Sequence, residues 1–450
     1  MKVKLMLAVA ALFAALPMIA GTLKFEYSTN KAEAIYKAND KIVFTVKLKE
    51  DNAAAHGKYI RYRLYHDHNV VKRGDVPADR DLVIETTGTK PGWIYIQVWA
   101  IDSKRQFIKQ TVVKKGASVT EVVTGGIGAM VDPEKLTTPL AEPADFDEFW
   151  NSVKAELASV PMKELEKVKL NEHKNVNVYD IKISCAGEKP VSGYLCMPLN
   201  AKAKSCPAIV SFHGAGVRSS GKLVNYAARG LIALDINAHG IVNGKPAKFY
   251  DDLRKNYYYT TLDAKRPTRY ALWNRHDRDL YYFKGMYMRL MRALEYVKSL
   301  PEWDGKHLIV TGGSQGGAQV LAACGLDKDV TFAKCAVPAQ CDHSGCLGDR
   351  RSGWPALYKA VKGKPEDPAV AKCAMYYDGA YFAKRIKCPI YFSTGFMDNV
   401  CPPTSVYAAY NNVPAGVKKA MQTTPTAGHS APSSKSDKAL NAYIQKALGK

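Results

Sequence analysis

Several features are missing from this 450-residue sequence, and each absence excludes a class of protein. After the N-terminal segment, no apolar stretch reaches the roughly 20 residues that a membrane-spanning helix needs. No helix-turn-helix, zinc-finger or RNA-binding pattern accompanies the 64 lysines and arginines, which form no long cluster. We therefore expect neither stable membrane insertion nor nucleic-acid binding. The formal net charge of +22 is interpreted as a solvating surface, with an acidic polysaccharide left open as a partner.

Cysteine is absent from residues 1–184, and all ten cysteines fall between Cys185 and Cys401. The chain contains no C-x-x-C pair. Four cysteines lie in or beside apolar segments, where small buried thiols are common: Cys196, Cys206, Cys324 and Cys388. We expect most of the thiols to be buried. A local bridge between Cys341 and Cys346 stays open, because connectivity does not follow from sequence.

The N-terminal segment has the layout of a secretory signal peptide. Two lysines precede an apolar run over residues 5–16, and a proline then breaks the run before small residues at 20–21. The run is too short to favour a membrane span, and an uncleaved anchor is the alternative. We expect residues 1–21 to be a signal peptide and the protein to be exported, either to the periplasm or out of the cell.

Residues 22–120 repeat a strand pattern. Apolar and polar residues alternate with a period of two in four segments: KIVFTVKLK at 41–49, YIRYRLYH at 59–66, DLVIETT at 81–87 and WIYIQVWAI at 93–101. Their short spacing predicts a small antiparallel β-sandwich of immunoglobulin-like type, although the immunoglobulin cysteine pair is absent. A stretch that contains Gly and Pro follows, and it predicts a linker at 121–145.

The pattern changes over residues 146–450. Apolar runs typical of buried strands alternate with amphipathic segments typical of helices: AIVSFHG at 208–214, LIALDI at 231–236, MRLMRALEYVKSL at 288–300, HLIVTGG at 307–313 and PIYFSTG at 389–395. Buried strands that alternate with helices predict a mostly parallel sheet wrapped on both faces. The expected fold is therefore an α/β domain preceded by the all-β domain.

The sharpest signal is a glycine-rich turn around one serine. Gly312-Gly313-Ser314-Gln315-Gly316 fits the G-x-S-x-G pattern between an apolar strand and a segment compatible with a helix. Such a turn lifts the serine Oγ into the open, and larger side chains would collide at the flanking positions. We identify Ser314 as the candidate nucleophile, the alternative being a turn without a catalytic role.

In an α/β-hydrolase, an acid and then a histidine follow the nucleophile along the chain. Asp398 lies just after the apolar strand at 389–393, where a loop carboxylate can fix the tautomer of an imidazole. His429 is the only histidine after Asp398, whereas His343 precedes it and breaks the expected order. We predict a triad of Ser314, Asp398 and His429. The alternatives are an ordinary turn aspartate and a surface histidine.

Backbone NH groups are the expected donors to the oxyanion of such a reaction. By position, one donor is the NH of Gln315, the residue after the nucleophile. The segment AIVSFHGAG ends a predicted strand, and the NH of Ala215 in it is the candidate second donor. We interpret the His213 side chain as a structural histidine at the strand end. Chemistry of this kind needs neither a metal ion nor an organic cofactor.

Four segments resemble those of a known family: PADFDEFWNSVKAEL, SLPEWDGKHLIVTGGSQGGA, AKRIKCPIYFSTGFMDNVCPPTSVYAAYN and GHS. Through them, residues 143–445 resemble the acetyl xylan esterase and cephalosporin-C deacetylase family, carbohydrate esterase family seven of the α/β-hydrolase superfamily. The strings G-G-S-Q-G-G and M-D-x-x-C-P-P are the specific parts. By that resemblance, Ser314, Asp398 and His429 match the family triad. Gln315 matches its oxyanion residue.

Two positions depart from the family pattern. The family has H-G-Y where this chain has His213-Gly214-Ala215, and it has Arg-Gly-Gln where this chain has Asn-Ala-His at 237–239. The resemblance therefore leaves the acyl pocket and the oligomer unpredicted. An aromatic, basic insertion follows at 248–283, and it suits either sugar stacking or a cap packed on the core.

The leading hypothesis is an exported serine esterase that removes acetyl groups from a polysaccharide or its oligosaccharides through an acyl-enzyme. The runner-up is another hydrolase of this fold, such as a peptidase or an esterase for a different acyl group. A carbohydrate-binding protein with an idle triad is the third candidate. Glucuronoyl esterase is disfavoured, because that family is expected to have arginine where Gln315 stands here.

The N-terminal domain is expected to support or position an acetylated carbohydrate substrate and to contribute nothing to the chemical step. The reason is that residues 22–120 hold no part of the predicted triad. A chain that begins near Thr137 is therefore expected to keep hydrolysis of a small acetate ester if it remains folded.

Overall fold

The computed structural model describes residues 22–114, 116–170, 173–258, 261–263, 266–267 and 269–449. The predicted signal peptide at residues 1–21 lies outside the described residues. Within the described ranges, no helix has both the length and the apolar character needed to cross a membrane.

All regular elements among the described residues of 23–131 are strands. They are β1 (Leu23–Thr29), β2 (Ile35–Tyr36), β3 (Ile42–Glu50), β4 (Ala53–Ala54), β5 (Tyr59–His66), β6 (Asn69–Pro77), β7 (Leu82–Thr86), β8 (Gly92–Ile101), β9 (Lys109–Lys114), β10 (Ala117–Val122) and β11 (Thr124–Val131). A four-stranded sheet joins β1, β3 and β4, with β7 also paired to β3. A five-stranded sheet has the order β2-β11-β8-β5-β6, and β9 and β10 form a separate hairpin. The four strand segments predicted from the sequence appear as β3, β5, β7 and β8.

Two strands of this β-region differ in how they are buried. β3 alternates between buried and half-buried residues along its first eight positions, as expected where one face is covered less completely. β8 instead begins with five consecutive buried residues, Gly92–Ile96. The first half of β8 is therefore covered on both faces. The additional cover comes from the α/β region, because Trp93 Nε1 donates a hydrogen bond to the carbonyl of Phe396.

The structure differs from the linker predicted at 121–145. Residues 124–131 form β11, which pairs with β8 along its whole length and is buried from Gly126 to Val131. This segment is rich in glycine, and glycines carry no side chains that would mark the period of a strand. The β-region therefore continues to Val131, beyond the boundary predicted at residue 120.

From residue 146 onward the chain contains helices as well as strands. The α-helices are α1 (Phe146–Ala158), α2 (Val224–Ala227), α3 (Ala247–Leu253), α4 (Tyr282–Ser299), α5 (Gln315–Leu326), α6 (Pro368–Tyr376), α7 (Gly379–Ala383), α8 (Pro403–Asn412) and α9 (Ser434–Ala447). The strands are β12 (Glu164–Leu170), β13 (Val176–Ile183), β14 (Val191–Pro198), β15 (Cys206–Phe212), β16 (Ile232–Ile236), β17 (Thr261–Asp263), β18 (Arg266–Pro267), β19 (Trp303–Gly313), β20 (Phe332–Ala336), β21 (Ala360–Val361), β22 (Lys364–Pro365), β23 (Ile390–Gly395) and β24 (Lys419–Thr424).

Nine of these strands form one sheet in the order β12-β13-β14-β16-β15-β19-β20-β23-β24. The pairs from β12 to β16 are antiparallel, and every later pair along the sheet is parallel. Alternate residues of β15 enter two different buried clusters: Ala208 and Val210 lie with α4 and α5, whereas Ile209 lies with α2 and α9. Helices therefore cover both faces of a mostly parallel sheet, which is the α/β arrangement that the sequence predicts.

All ten cysteines lie among the described residues, and all are free thiols. Eight are buried, whereas Cys185 and Cys346 are half-buried. The bridge between Cys341 and Cys346 left open by the sequence is not formed. Burial disfavours the thiolate and raises, for example, the pKa of Cys373 to about 12.

Candidate active site

Ser314 lies at the turn between β19 and α5. Its backbone has φ 59° and ψ −123°, a conformation that residues other than glycine rarely adopt. The turn is tight, because a Cβ on Gly316 would overlap the carbonyl oxygen of Phe212 and a Cβ on Gly312 would overlap that of Gly316. The flanking glycines are therefore needed for this strand and this helix to meet around the serine.

The structure brings the three predicted triad residues into one line of contacts. His429 Nε2 lies 2.8 Å from Ser314 Oγ, and His429 Nδ1 lies 2.8 Å from Asp398 Oδ2. A carboxylate only accepts hydrogen bonds, so Nδ1 carries the ring hydrogen and Nε2 accepts from the serine hydroxyl. The imidazole is 31% exposed, whereas the Asp398 side chain is fully buried. This arrangement can move the serine proton to the imidazole during attack on a carbonyl carbon.

Asp398 is also held by its own loop, which follows β23. Its Oδ1 accepts hydrogen bonds from the NH of Val400 at 2.8 Å and from the NH of Cys401 at 2.9 Å. Both carboxylate oxygens therefore have partners, since Oδ2 faces the imidazole. These contacts fix the orientation of the Asp398 carboxylate relative to the His429 imidazole.

The two candidate oxyanion donors lie on elements that meet at Ser314. Gln315 is the first residue of α5, so its NH has no carbonyl acceptor one turn earlier in the helix. Ala215 lies in an exposed part of the loop that follows β15. This loop passes beside the serine, because a Cβ built on Gly214 would lie 3.6 Å from Ser314 Cβ. The positive end of the α5 dipole also favours negative charge at this place.

The side chain of Gln315 has a partner that the sequence did not indicate. It is fully buried, and its Oε1 accepts a hydrogen bond of 2.5 Å from the Tyr270 hydroxyl. Tyr270 belongs to the insertion at 248–283, and its ring lies 4.6 Å from that of His239 between centroids. Five aromatic residues of the insertion are buried in the main core: Tyr250, Tyr258, Tyr270, Tyr281 and Phe283. For these residues the structure shows packing on the core, one of the two alternatives left open.

His213 has the structural role expected from its place at a strand end. Its Nδ1 lies 2.7 Å from the carbonyl oxygen of Gly214, and its Nε2 accepts a hydrogen bond of 3.2 Å from the NH of Ala238. Burial lowers the pKa of His213 to about 4, and burial also lowers the pKa of His239 well below its usual range. Both rings are therefore neutral near pH 7, so Asn-Ala-His at 237–239 brings no positive side chain to this edge of the site.

Cys401 is a further residue at the site, and the M-D-x-x-C-P-P string is the sequence signal that marks it. Burial raises the pKa of its thiol well above the usual value, against a smaller opposing hydrogen bond with Ser314. The thiol is therefore uncharged beside the serine and does not act as a competing thiolate. Among the residues that the structure describes, no group of three His, Cys, Asp or Glu side chains is placed to hold a metal ion.

Comparison with known proteins identifies similar chains. The family model described as acetyl xylan esterase (AXE1) matches residues 134–446, a range that contains all three triad positions. The acetyl esterase Axe7A of Xylanibacter ruminicola is 34% identical over 287 residues. That match spans 63% of this chain and 63% of the relative, so this chain covers less than two thirds of the relative's length.

Two solved structures are similar as well. The acetyl xylan esterase from Paenibacillus sp. R4 has 26% identity and a TM-score of 0.58, with 70% of this chain and 98% of that chain covered. Acetyl xylan esterase 1 from Thermoanaerobacterium sp. has 24% identity and a TM-score of 0.57, with 70% of this chain and 97% of that chain covered. At this identity the similarity indicates a shared fold only. The α/β region has the α/β-hydrolase fold of these enzymes.

Proposed function

Because the chain belongs to the acetyl xylan esterase family, we propose that it removes acetyl groups from polysaccharides or oligosaccharides through an acyl-enzyme on Ser314. The observation that carries the proposal is the line of 2.8 Å contacts from Ser314 through His429 to Asp398. The family as a whole and the names of the similar proteins indicate a carboxylic ester hydrolase. The triad supplies the chemistry that such a hydrolase needs.

In the proposed acylation step, Ser314 Oγ attacks the ester carbonyl carbon. His429 Nε2 takes the hydroxyl proton, and Asp398 stabilises the imidazolium that forms. The carbonyl oxygen becomes negative and accepts hydrogen bonds from the NH groups of Gln315 and Ala215. The tetrahedral intermediate then collapses, and the sugar oxygen leaves with the proton from His429.

In the proposed deacylation step, water replaces the sugar. His429 takes one proton from the water, and the water oxygen attacks the carbonyl carbon of acetyl-Ser314. Collapse releases acetate and returns the proton to Ser314 Oγ. The route uses only these side chains and backbone NH groups.

The setting of the enzyme is part of the same proposal. Export to the periplasm or out of the cell is supported by the basic, apolar and small-residue order of residues 1–21. An immunoglobulin-like sandwich is proposed for the N-terminal β-region, and it is supported by two sheets that enclose one buried cluster. An acetylated carbohydrate is the proposed partner.

A screen for acetate release tests reaction and substrate together. The substrates are acetylated xylan, pectin, mannan and small sugar acetates, with a butyrate ester and an aminopeptide amide as alternatives and Ser314→Ala as the control. Acetate release by the wild type alone supports the proposal. Turnover of only the butyrate or the amide favours the runner-up. No turnover, together with no labelling of Ser314 by a fluorophosphonate, favours a carbohydrate-binding protein with an idle triad.

A further inference from the structure

The outer face of the five-stranded sheet packs against the loop that carries Asp398. Trp93 of β8 is fully buried, and its indole Nε1 donates a hydrogen bond of 2.7 Å to the carbonyl oxygen of Phe396. The Phe396 side chain is also fully buried, and it belongs to the buried cluster of the N-terminal β-region. Asp398 follows two residues later. The acid loop is therefore anchored in the core of the other region just before the carboxylate.

The same loop is anchored again just after Asp398. The Tyr95 hydroxyl of β8 donates a hydrogen bond of 3.3 Å to Asn399 Oδ1. Arg351 Nη1 donates to the same oxygen at 2.9 Å. β8 thus contacts the chain on both sides of the acid.

The neighbouring strand β11 reaches both triad loops. A Cβ on Gly128 would overlap the carbonyl oxygen of Phe396, so this close approach requires glycine. The NH of Gly128 donates a hydrogen bond of 2.9 Å to the carbonyl of Pro425, in the segment that leads to the catalytic histidine. The two loops are also joined directly, because the NH of Met397 donates to the carbonyl of Ala427 at 2.9 Å.

We propose that the N-terminal β-region is part of the catalytic apparatus: β8 and β11 hold the acid loop in register with the histidine loop, and Trp93 is a positioning residue for Asp398. This inference rests on the proposed esterase function. It replaces the expectation that the region contributes nothing to the chemical step. A misplacement of about 1 Å at catalytic groups costs on the order of 100-fold in rate, so the loss of one anchor should be visible in kcat.

The first test is Trp93→Phe in the full chain, which removes the indole donor and keeps an aromatic ring. Trp150→Phe is the matched control, because Trp150 in α1 is 2% exposed and its Nε1 donates to the carbonyl of Tyr376 at 3.0 Å. With p-nitrophenyl acetate, we expect kcat of Trp93→Phe to fall by about 10- to 100-fold and KM to change by less than about 2-fold. Trp150→Phe should lower the melting temperature to a similar extent and keep kcat within about 2-fold.

A double variant separates positioning from a general loss of structure. If Trp93 acts through Asp398, then Trp93→Phe added to Asp398→Asn should lower kcat by less than about 3-fold, because the positioned group is already disabled. An undiminished loss in the Asp398→Asn background overturns the proposal. So does wild-type kcat in a folded Trp93→Phe protein.

Gly128→Ala tests the second anchor and serves where Trp93→Phe folds poorly. Its added Cβ should displace the acid loop from β11 and lower kcat by at least about 10-fold. Unchanged kcat in a folded Gly128→Ala protein overturns the role of β11. A wild type that does not hydrolyse the ester overturns the proposed function and this inference together, whereas an active wild type with an equally active Trp93→Phe overturns the inference alone.

Discussion

The proposed nucleophile and the proposed acid are held in different ways. Ser314 is fixed by the strand and helix on either side of it, and the tight contacts around it come from Phe212 and Gly316 within the α/β region. Asp398 lies in a loop that the N-terminal strands anchor through Trp93 and Tyr95. A residue predicted from chain order alone can therefore contact a distant region that no motif reveals.

The largest expected effect is on the serine side of this comparison. Ser314→Ala should lower kcat for p-nitrophenyl acetate by about 10⁵- to 10⁶-fold, because it removes the attacking oxygen. The melting temperature should stay close to that of the wild type, since the turn is built from its neighbours. Initial rates and a melting curve check both parts. Full activity in this variant would assign the nucleophile elsewhere.

The acid should matter less than the nucleophile, but still strongly. Asp398→Asn should lower kcat by about 10⁴-fold, because an amide can donate to His429 Nδ1 and stabilise the wrong tautomer. KM should change little, since the acid is fully buried and does not line the approach to the serine. Steady-state kinetics of the purified variant provide the measurement. A loss below about 10-fold would mean that another group orients the imidazole.

Two substitutions in the N-terminal core should have the same effect on stability but different effects on activity. Phe396→Ala and Phe44→Ala both delete a fully buried ring from the N-terminal core, so each should lower the free energy of unfolding by about 3 to 5 kcal/mol. Only Phe396→Ala should also lower kcat, because only Phe396 lies in the acid loop. Urea unfolding and kinetics at a temperature well below both transitions compare them. Equal loss of kcat in both variants contradicts a specific role for the anchor.

The smallest expected effect is on the pH dependence of stability, and it comes from His213 at the end of β15. The pKa of His213 is about 4 in the folded protein and about 6.5 in the unfolded chain, so between these values the unfolded chain binds the extra proton. The stability supplied by neutral His213 is thus fully present above pH 6.5 and is lost as the pH falls toward 4, by up to about 3 kcal/mol. Urea unfolding from pH 7 to pH 4 should show a shallower decline for His213→Gln. Identical declines would contradict this assignment.

The sequence carries enough information to predict the three residues that the structure brings into contact, because each follows a rule of chain order or local shape. Ser314 sits in a motif that needs its glycines, and His429 is the only histidine after Asp398. The paired strands of the β-region also follow from alternation, as β5 at Tyr59–His66 shows. These features depend on residues close together in sequence or on a short count along it.

The anchors of the acid loop had no such signal. Trp93 and Phe396 are 303 residues apart, and the acceptor is a backbone carbonyl that any residue would supply. Gly128 falls within the linker predicted from the sequence, whereas in the structure its lack of a side chain allows the close contact with Phe396. The hydrogen bond from Tyr270 to Gln315 likewise has no signal in the sequence, because the two residues are 45 positions apart. Tertiary contacts of this kind follow only from the packed chain.

The cysteines can report on local or global unfolding, because most of them are buried in the folded protein. A thiol-reactive dye modifies a side chain only when solvent reaches it, so the number of dyes attached counts how many of the ten thiols have become accessible. Cys185 and Cys346, which are half-buried, should react first, and the other eight should follow as the core opens. The described β-region carries no cysteine. The mass added by the dye, measured by mass spectrometry, therefore reports on the opening of the α/β region alone.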